Sequence, residues 1–269
     1  MDKSQVTIPL RVRFVMVAEW VFHHWLLIWT VLFTIYNLLP ILAPILMRVN
    51  LDMIAMPIYD VYHLVGHQLA NRSFFFFGEQ VTYTLEELPV PIVGEFLPDS
   101  TALGDFIGNE QLGWKMAWSD RLVSMYGSAL ITTYIYILLH KRENYKPLAR
   151  HWMILLVMPL IIDGTTHYIS DFDSLIEGFR WDNAWFATLT GNAFPQEFYV
   201  GDNRGSFNSI LRLITGILFG IGLMAWALPA LNIYFERNAN ILRERLDKWW
   251  ARQLVESTPE TNASASSSD

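Results

Sequence analysis

The sequence predicts an all-α, polytopic membrane helix bundle: four transmembrane helices plus an amphipathic helix on the outer side. Three observations predict it. The 269 residues are 52% hydrophobic and 14% aromatic, and the apolar residues gather into long runs instead of spreading evenly. One of these, 122–139, carries no charged side chain and at about 1.5 Å per residue is about 27 Å long, enough to cross hydrocarbon. The basic residues cluster in alternate inter-span segments, as in membrane proteins of fixed orientation.

Taken in order, residues 1–13 are polar and carry Lys3, Arg11 and Arg13. An apolar run over 14–47 follows, interrupted by Glu19, His23, His24 and Asn37. A cleaved signal would have an apolar core of about 7 to 15 residues and a small-residue cleavage site. This run is longer and has no such site, so it is expected to be a retained span over 21–42, kinked or ended by Pro40 and Pro44. Residues 48–120 form an outer loop, with the amphipathic helix first and an irregular, acidic, proline-bearing stretch over 79–105 after it. The second span is 122–139, stopped by His140, Lys141 and Arg142. The third, 152–170, contains Asp163 and His167, which are costly in hydrocarbon unless partnered. A second outer loop, 171–209, leads to the fourth span, 210–234, with a separate interfacial helix marked by Leu242, Leu246, Trp249, Trp250 and Leu254. Residues 1–256 are read as a single membrane domain and the serine-rich 257–269 as a disordered tail.

Charge assigns the sides. Lys3, Arg11 and Arg13, then Lys141, Arg142, Lys146 and Arg150, then Arg237, Arg243, Arg245, Lys248 and Arg252 mark three segments expected to be cytoplasmic, both termini among them. The two outer loops are acidic: 48–121 has four Lys or Arg against ten Asp or Glu, and 171–208 has two against six. The absence of cysteine excludes disulfides, thiolate metal sites and cysteine nucleophiles. A net charge of -7 argues against a nucleic-acid partner.

The polar residues then converge. On a helix over the segment before Gln68, Ile54, Ile58, Val61, Val65 and Leu69 share one side, and Asp60, His63 and His67 the other. Asp163 and His167, about 16 and 22 Å along the third span, belong to its outer half. Arg121 and Arg212 open the second and fourth spans from outside. Two chemistries fit. Asp60, His63, His67, Asp163 and His167 are imidazole and carboxylate ligands suited to zinc, iron or manganese. Arg72, Arg121 and Arg212, with Gln68, Ser73 and Thr215, suit a phosphate or carboxylate. Against both stands a structural alternative in which each arginine is paired with Asp120, Asp163 or Asp171. In an enzyme, His67 or His167 would carry the proton and Asp163 orient it. Gly216, Gly220 and Gly222 predict a close helix-packing face on the fourth span.

His67-Gln68-x3-Arg72-Ser73-Phe74, with Gly78 and Gln80, resembles the Cys-His-Gln-x3-Arg-Ser-Phe hallmark of an uncharacterised prokaryotic family of predicted membrane proteins, a domain of unknown function. Arg121 with Tyr126 is similar to its Cys-x-Arg-Cys-x-Gly-x-Tyr block, and Asp163-Gly164 to its Asp-Gly-x-x-Gln. Asn208-x3-Arg212-x2-Thr215-Gly216 is similar to its Asn-x3-Arg-x2-Thr-Gly. The resemblance covers about residues 60–225, adds Asn208 to the ligand-binding candidates and implies a prokaryotic cell membrane, but no established activity. Where the family has cysteines this chain has Gly66, Ser119 and Leu122, and His167 stands in place of its glutamine. Three readings result. The first is an outward-facing pocket that binds, and in an enzyme processes, a small anionic ligand or lipid head group. The second is an accessory or assembly subunit with other membrane subunits as partners, and the third a His/Asp metal-binding membrane protein.

Overall fold

The computed structural model describes residues 8–66, 68–90, 92–93, 97–98, 100–140, 145–172 and 175–256. In chain order the elements are α1 (Leu10–His23), α2 (Trp25–Arg48), α3 (Asp52–His63), β1 (Ser73–Phe76), β2 (Ile92–Val93), β3 (Leu97–Pro98), α4 (Ser100–Asp105), β4 (Gly108–Asn109) and β5 (Gly113–Ser119). They continue with α5 (Asp120–Leu139), α6 (Arg150–Ser170), α7 (Phe179–Asp182), α8 (Ala184–Leu189), α9 (Gln196–Tyr199) and α10 (Phe207–Glu256). Four helices are long and apolar enough to cross a membrane: Trp25–Arg48, Asp120–Leu139, Arg150–Ser170 and Phe207–Val255. The helical membrane bundle read from the sequence is thus borne out. Its disordered tail, 257–269, lies outside the described residues.

Three elements differ in detail from expectation. Pro40 and Pro44 do not end the first span, which continues to Arg48. Both prolines are fully buried, so the backbone bonds they forfeit cost less than the packing gained. The fourth span and the interfacial helix are one continuous helix, α10, running through Pro229. The region 48–120 also holds a sheet that the sequence did not suggest, with β1, β5 and β4 antiparallel in that order.

The chain divides into two compact units, Met1–Trp29 with Ala230–Asp269, and Thr30–Pro229. In the first, Trp25 donates to Asn232 Oδ1 at 3.0 Å and stacks on Phe235, while Arg243 pairs with Glu19 at 2.7 Å.

In the second unit, α3 packs through Ala55, Tyr59 and Tyr62. Tyr62 donates to the Tyr36 carbonyl and Tyr59 to that of Lys115, both at 2.6 Å, within an aromatic cluster of Tyr36, Tyr62, Trp118 and Tyr126. The apolar stripe of α3 is not its buried side: Ile54 and Val61 are exposed, and the tyrosines are inside. Beside hydrocarbon an outward face can be as apolar as an inward one, so the apolar stripe does not identify the buried side.

The glycine face of α10 behaves as expected. A Cβ on Gly216 would lie 3.1 Å from the Arg121 carbonyl and the Met125 nitrogen, and one on Gly220 2.7 Å from the Ala129 nitrogen, so both glycines face α5. Gly222 faces α6, where a Cβ would lie 2.6 Å from that of Leu156. This close approach brings the N-terminal ends of α5 and α10 together beside the C-terminal half of α6, and there the polar residues meet.

Candidate functional site: a buried ionic network

Asp120 is the first residue of α5, and Arg212 lies in the second turn of α10. The Arg212 guanidinium forks onto the Asp120 carboxylate, with Nε 2.9 Å from both oxygens and Nη2 2.8 Å from Oδ2. Its Nη1 reaches Asp202 Oδ1 at 2.5 Å. Asp202, in the turn before α10, also accepts from Arg72 Nε at 2.8 Å, and Arg72 Nη1 donates to Asp171 at 2.7 Å. On α6, Asp163 receives Arg121 Nη2 at 2.8 Å, Arg180 Nη2 at 2.9 Å and the Thr215 hydroxyl at 3.3 Å. His167, one turn on, joins the two halves: Nε2 is 3.4 Å from Asp202 Oδ1 and Nδ1 3.6 Å from Asp163 Oδ1. Asn208 holds the loop, accepting from Arg180 Nε at 3.3 Å and donating to the Arg180 and Gly201 carbonyls.

Four guanidiniums, Arg72, Arg121, Arg180 and Arg212, thus face four carboxylates, Asp120, Asp163, Asp171 and Asp202, and with His167 neutral their formal charges sum to zero. Burial alone would raise the Asp202 carboxyl, yet Arg72 and Arg212 hold it well below the ordinary range. Burial would likewise lower Arg72, but Asp202 and Asp171 raise it.

The arginines are not equivalent. Arg72, Arg180 and Arg212 each donate from Nε and both Nη atoms to Asp, Thr or Asn side chains. Arg121 uses Nη2 alone. Its buried Nε has no partner among the described residues, and its side chain keeps 22% of its exposure. His167 Nδ1 also lacks a hydrogen-bond partner there.

Of the residues singled out in the sequence, the network gathers Arg72, Arg121, Asp163, His167, Asn208, Arg212 and Thr215. Gln68 and Ser73 are buried elsewhere in the backbone scaffold: Gln68 donates to the Tyr59 carbonyl and Ser73 to that of Leu69. Asp60 and His63 are exposed on α3, and His67 lies outside the described residues. No group of three or more His, Cys, Asp or Glu side chains placed to hold a metal ion occurs among the described residues, and Asp163 is already engaged by two guanidiniums. The metal-binding reading therefore finds no support among the described residues. Sequence reasoning missed Arg180 and Asp202, which lie in the loop region 171–209 and join the network only through long-range pairing. Asp202 had one signal, a charge a few residues before the fourth span; Arg180 had none. Gly66 and Leu122 come together, since a Cβ on Gly66 would lie 2.8 Å from Leu122 Cδ1.

Near the network but separate from it, Lys115 on β5 is fully buried. Its Nζ donates to the Gln68 carbonyl at 2.7 Å and the Gly104 carbonyl at 2.5 Å. Burial pushes its ammonium down to about 7, against an opposing pull from Asp105.

Helices of this length and apolarity, bound at one end by a buried lattice of opposite charges, define a polytopic helical membrane protein. Residues 111–226 are similar to the family described as "Predicted membrane protein (DUF2085)". The chain is also similar to an uncharacterized protein, MJ1492, of Methanocaldococcus jannaschii. The two are 25% identical over 183 residues, 68% of this chain and 72% of the relative. No solved structure matches.

Proposed function

We propose that the protein is a ligand-binding membrane protein that takes one anionic group, a carboxylate or phosphate, at Arg121 on the outer side of the bilayer. Arg72, Arg180 and Arg212 form the structural frame around that site. The observation that carries this is the unequal use of donors. A guanidinium offers five N–H groups and prefers planar, two-point contact with an oxyanion, and Arg121 has only Nη2 engaged. The paired arginines would have to give up a carboxylate to bind an anion, at the cost of leaving that carboxylate buried and unpaired. The acidic loops and the basic inter-span segments support the outward orientation, with both termini cytoplasmic.

The test is a thermal-shift titration of the purified full chain with phosphate, pyrophosphate and small carboxylates, comparing wild type with Arg121→Gln. Stabilisation by at least one of these anions that disappears in the variant is the expected result. A shift that persists in Arg121→Gln, or no shift with any of them, overturns the proposal.

A further inference from the structure

Past the fourth apolar segment, α10 carries Arg245, Lys248 and Arg252 at i, i+3 and i+7, a spacing that places them along one side of the helix. With Leu246 and Trp249, and with Arg11, Val12 and Val15 of α1, they line a half-open cavity of about 490 Å3 within the unit formed by residues 1–29 and 230–269. The four cations are exposed at its rim. Val12 is buried, and Val15, Leu246 and Trp249 are half-buried. No ion pair joins Arg11, Arg245, Lys248 or Arg252 to a described carboxylate, and Glu244 and Asp247 on the same helix form none either, whereas neighbouring Arg243 is paired with Glu19. Cations around one cavity repel each other, so the arrangement opposes the isolated fold and favours an anionic occupant. The apolar lining favours an amphiphile over a free ion, and a tryptophan beside the charges belongs at head-group depth.

We propose that this cavity binds the head group of an anionic phospholipid, with the guanidiniums of Arg11, Arg245 and Arg252 on the phosphate and the apolar residues under the glycerol and first methylenes. This site is independent of Arg121. Each basic residue near a membrane surface contributes about fivefold in affinity for anionic lipid, an attraction that salt screens.

The full chain in neutral micelles is titrated with dioctanoyl phosphatidylglycerol, and bound lipid is counted by native mass spectrometry. A one-to-one complex is expected, with phosphatidylcholine of equal chain length failing to compete. The triple variant Arg245→Gln, Lys248→Gln, Arg252→Gln should weaken it on the order of 100-fold, while Arg243→Gln, outside the cavity, leaves it unchanged. Arg11→Gln, a single change on the other helix, should weaken it about fivefold and serves if the triple variant does not fold. Equal binding of phosphatidylcholine, or retention of the lipid by these cavity variants, overturns the proposal. Displacement of the lipid by equimolar sodium pyrophosphate also overturns it, by assigning the cavity to a soluble phosphate.

Discussion

Arg121 and Arg212 differ in what their removal leaves behind. Arg212→Gln strands the nearly solvent-free Asp120 and leaves Asp202 with Arg72 as its one guanidinium, and should cost about 3 to 5 kcal/mol, read as a lowered thermal midpoint of the purified protein. Arg121 is partly exposed and carries one pair, so Arg121→Gln should change stability by less than Arg212→Gln in the same measurement while abolishing anion-induced stabilisation. The Asp202 carboxyl titrates below its unfolded value of about 3.9. It therefore contributes stability that is present above that value and lost as pH falls through the folded one. Denaturant midpoints should drop below about pH 4, with a shallower drop in Asp202→Asn. Lys115 behaves as a lowered base. Titrating at about 7 when folded and about 10.4 when unfolded, it binds fewer protons in the fold between those limits, so stability should rise with pH across that window. Lys115→Met should remove the rise. It should also lower the midpoint, because the Gln68 and Gly104 carbonyls lose their donor.

At the level of elements, the small-residue face of α10 was legible, because the spacing of Gly216, Gly220 and Gly222 carries direct information about helix approach. Gly220→Val should separate α5 from α10 and disrupt the Asp120–Arg212 pair that this approach creates. Gly127→Ala, with nothing within 4 Å of the added Cβ, should fold normally. Comparison of expression and thermal midpoints of the two variants checks this. The orientation of α3 was not legible. Its three buried side chains, Ala55, Tyr59 and Tyr62, are not its most apolar, and two are chosen for hydroxyls that reach backbone carbonyls. The sheet of β1, β5 and β4 was missed for a similar reason: β1 and β4 are short, and β1 pairs with a segment outside its immediate neighbourhood.

For the molecule as a whole, the orientation can be tested directly because the chain contains no cysteine. A Glu197→Cys variant should react with a membrane-impermeant maleimide in intact cells, and a Lys146→Cys variant only after lysis. The reverse pattern would place Arg121 on the cytoplasmic side. Composition and length alone were enough to predict the membrane class, the four spans and a shared end of the bundle for Asp163, His167, Arg121 and Arg212. These follow from how many apolar residues hydrocarbon requires and how far a helix rises per residue. Only the tertiary structure decided which charges neutralise which. Arg180 and Asp202 enter the network from a loop, Asp60 and His63 remain outside it, and Arg121 alone of its four arginines keeps a buried donor, Nε, unpaired among the described residues. Pairing among distant charges depends on distances of a few ångströms set by packing, and local sequence carries no record of them.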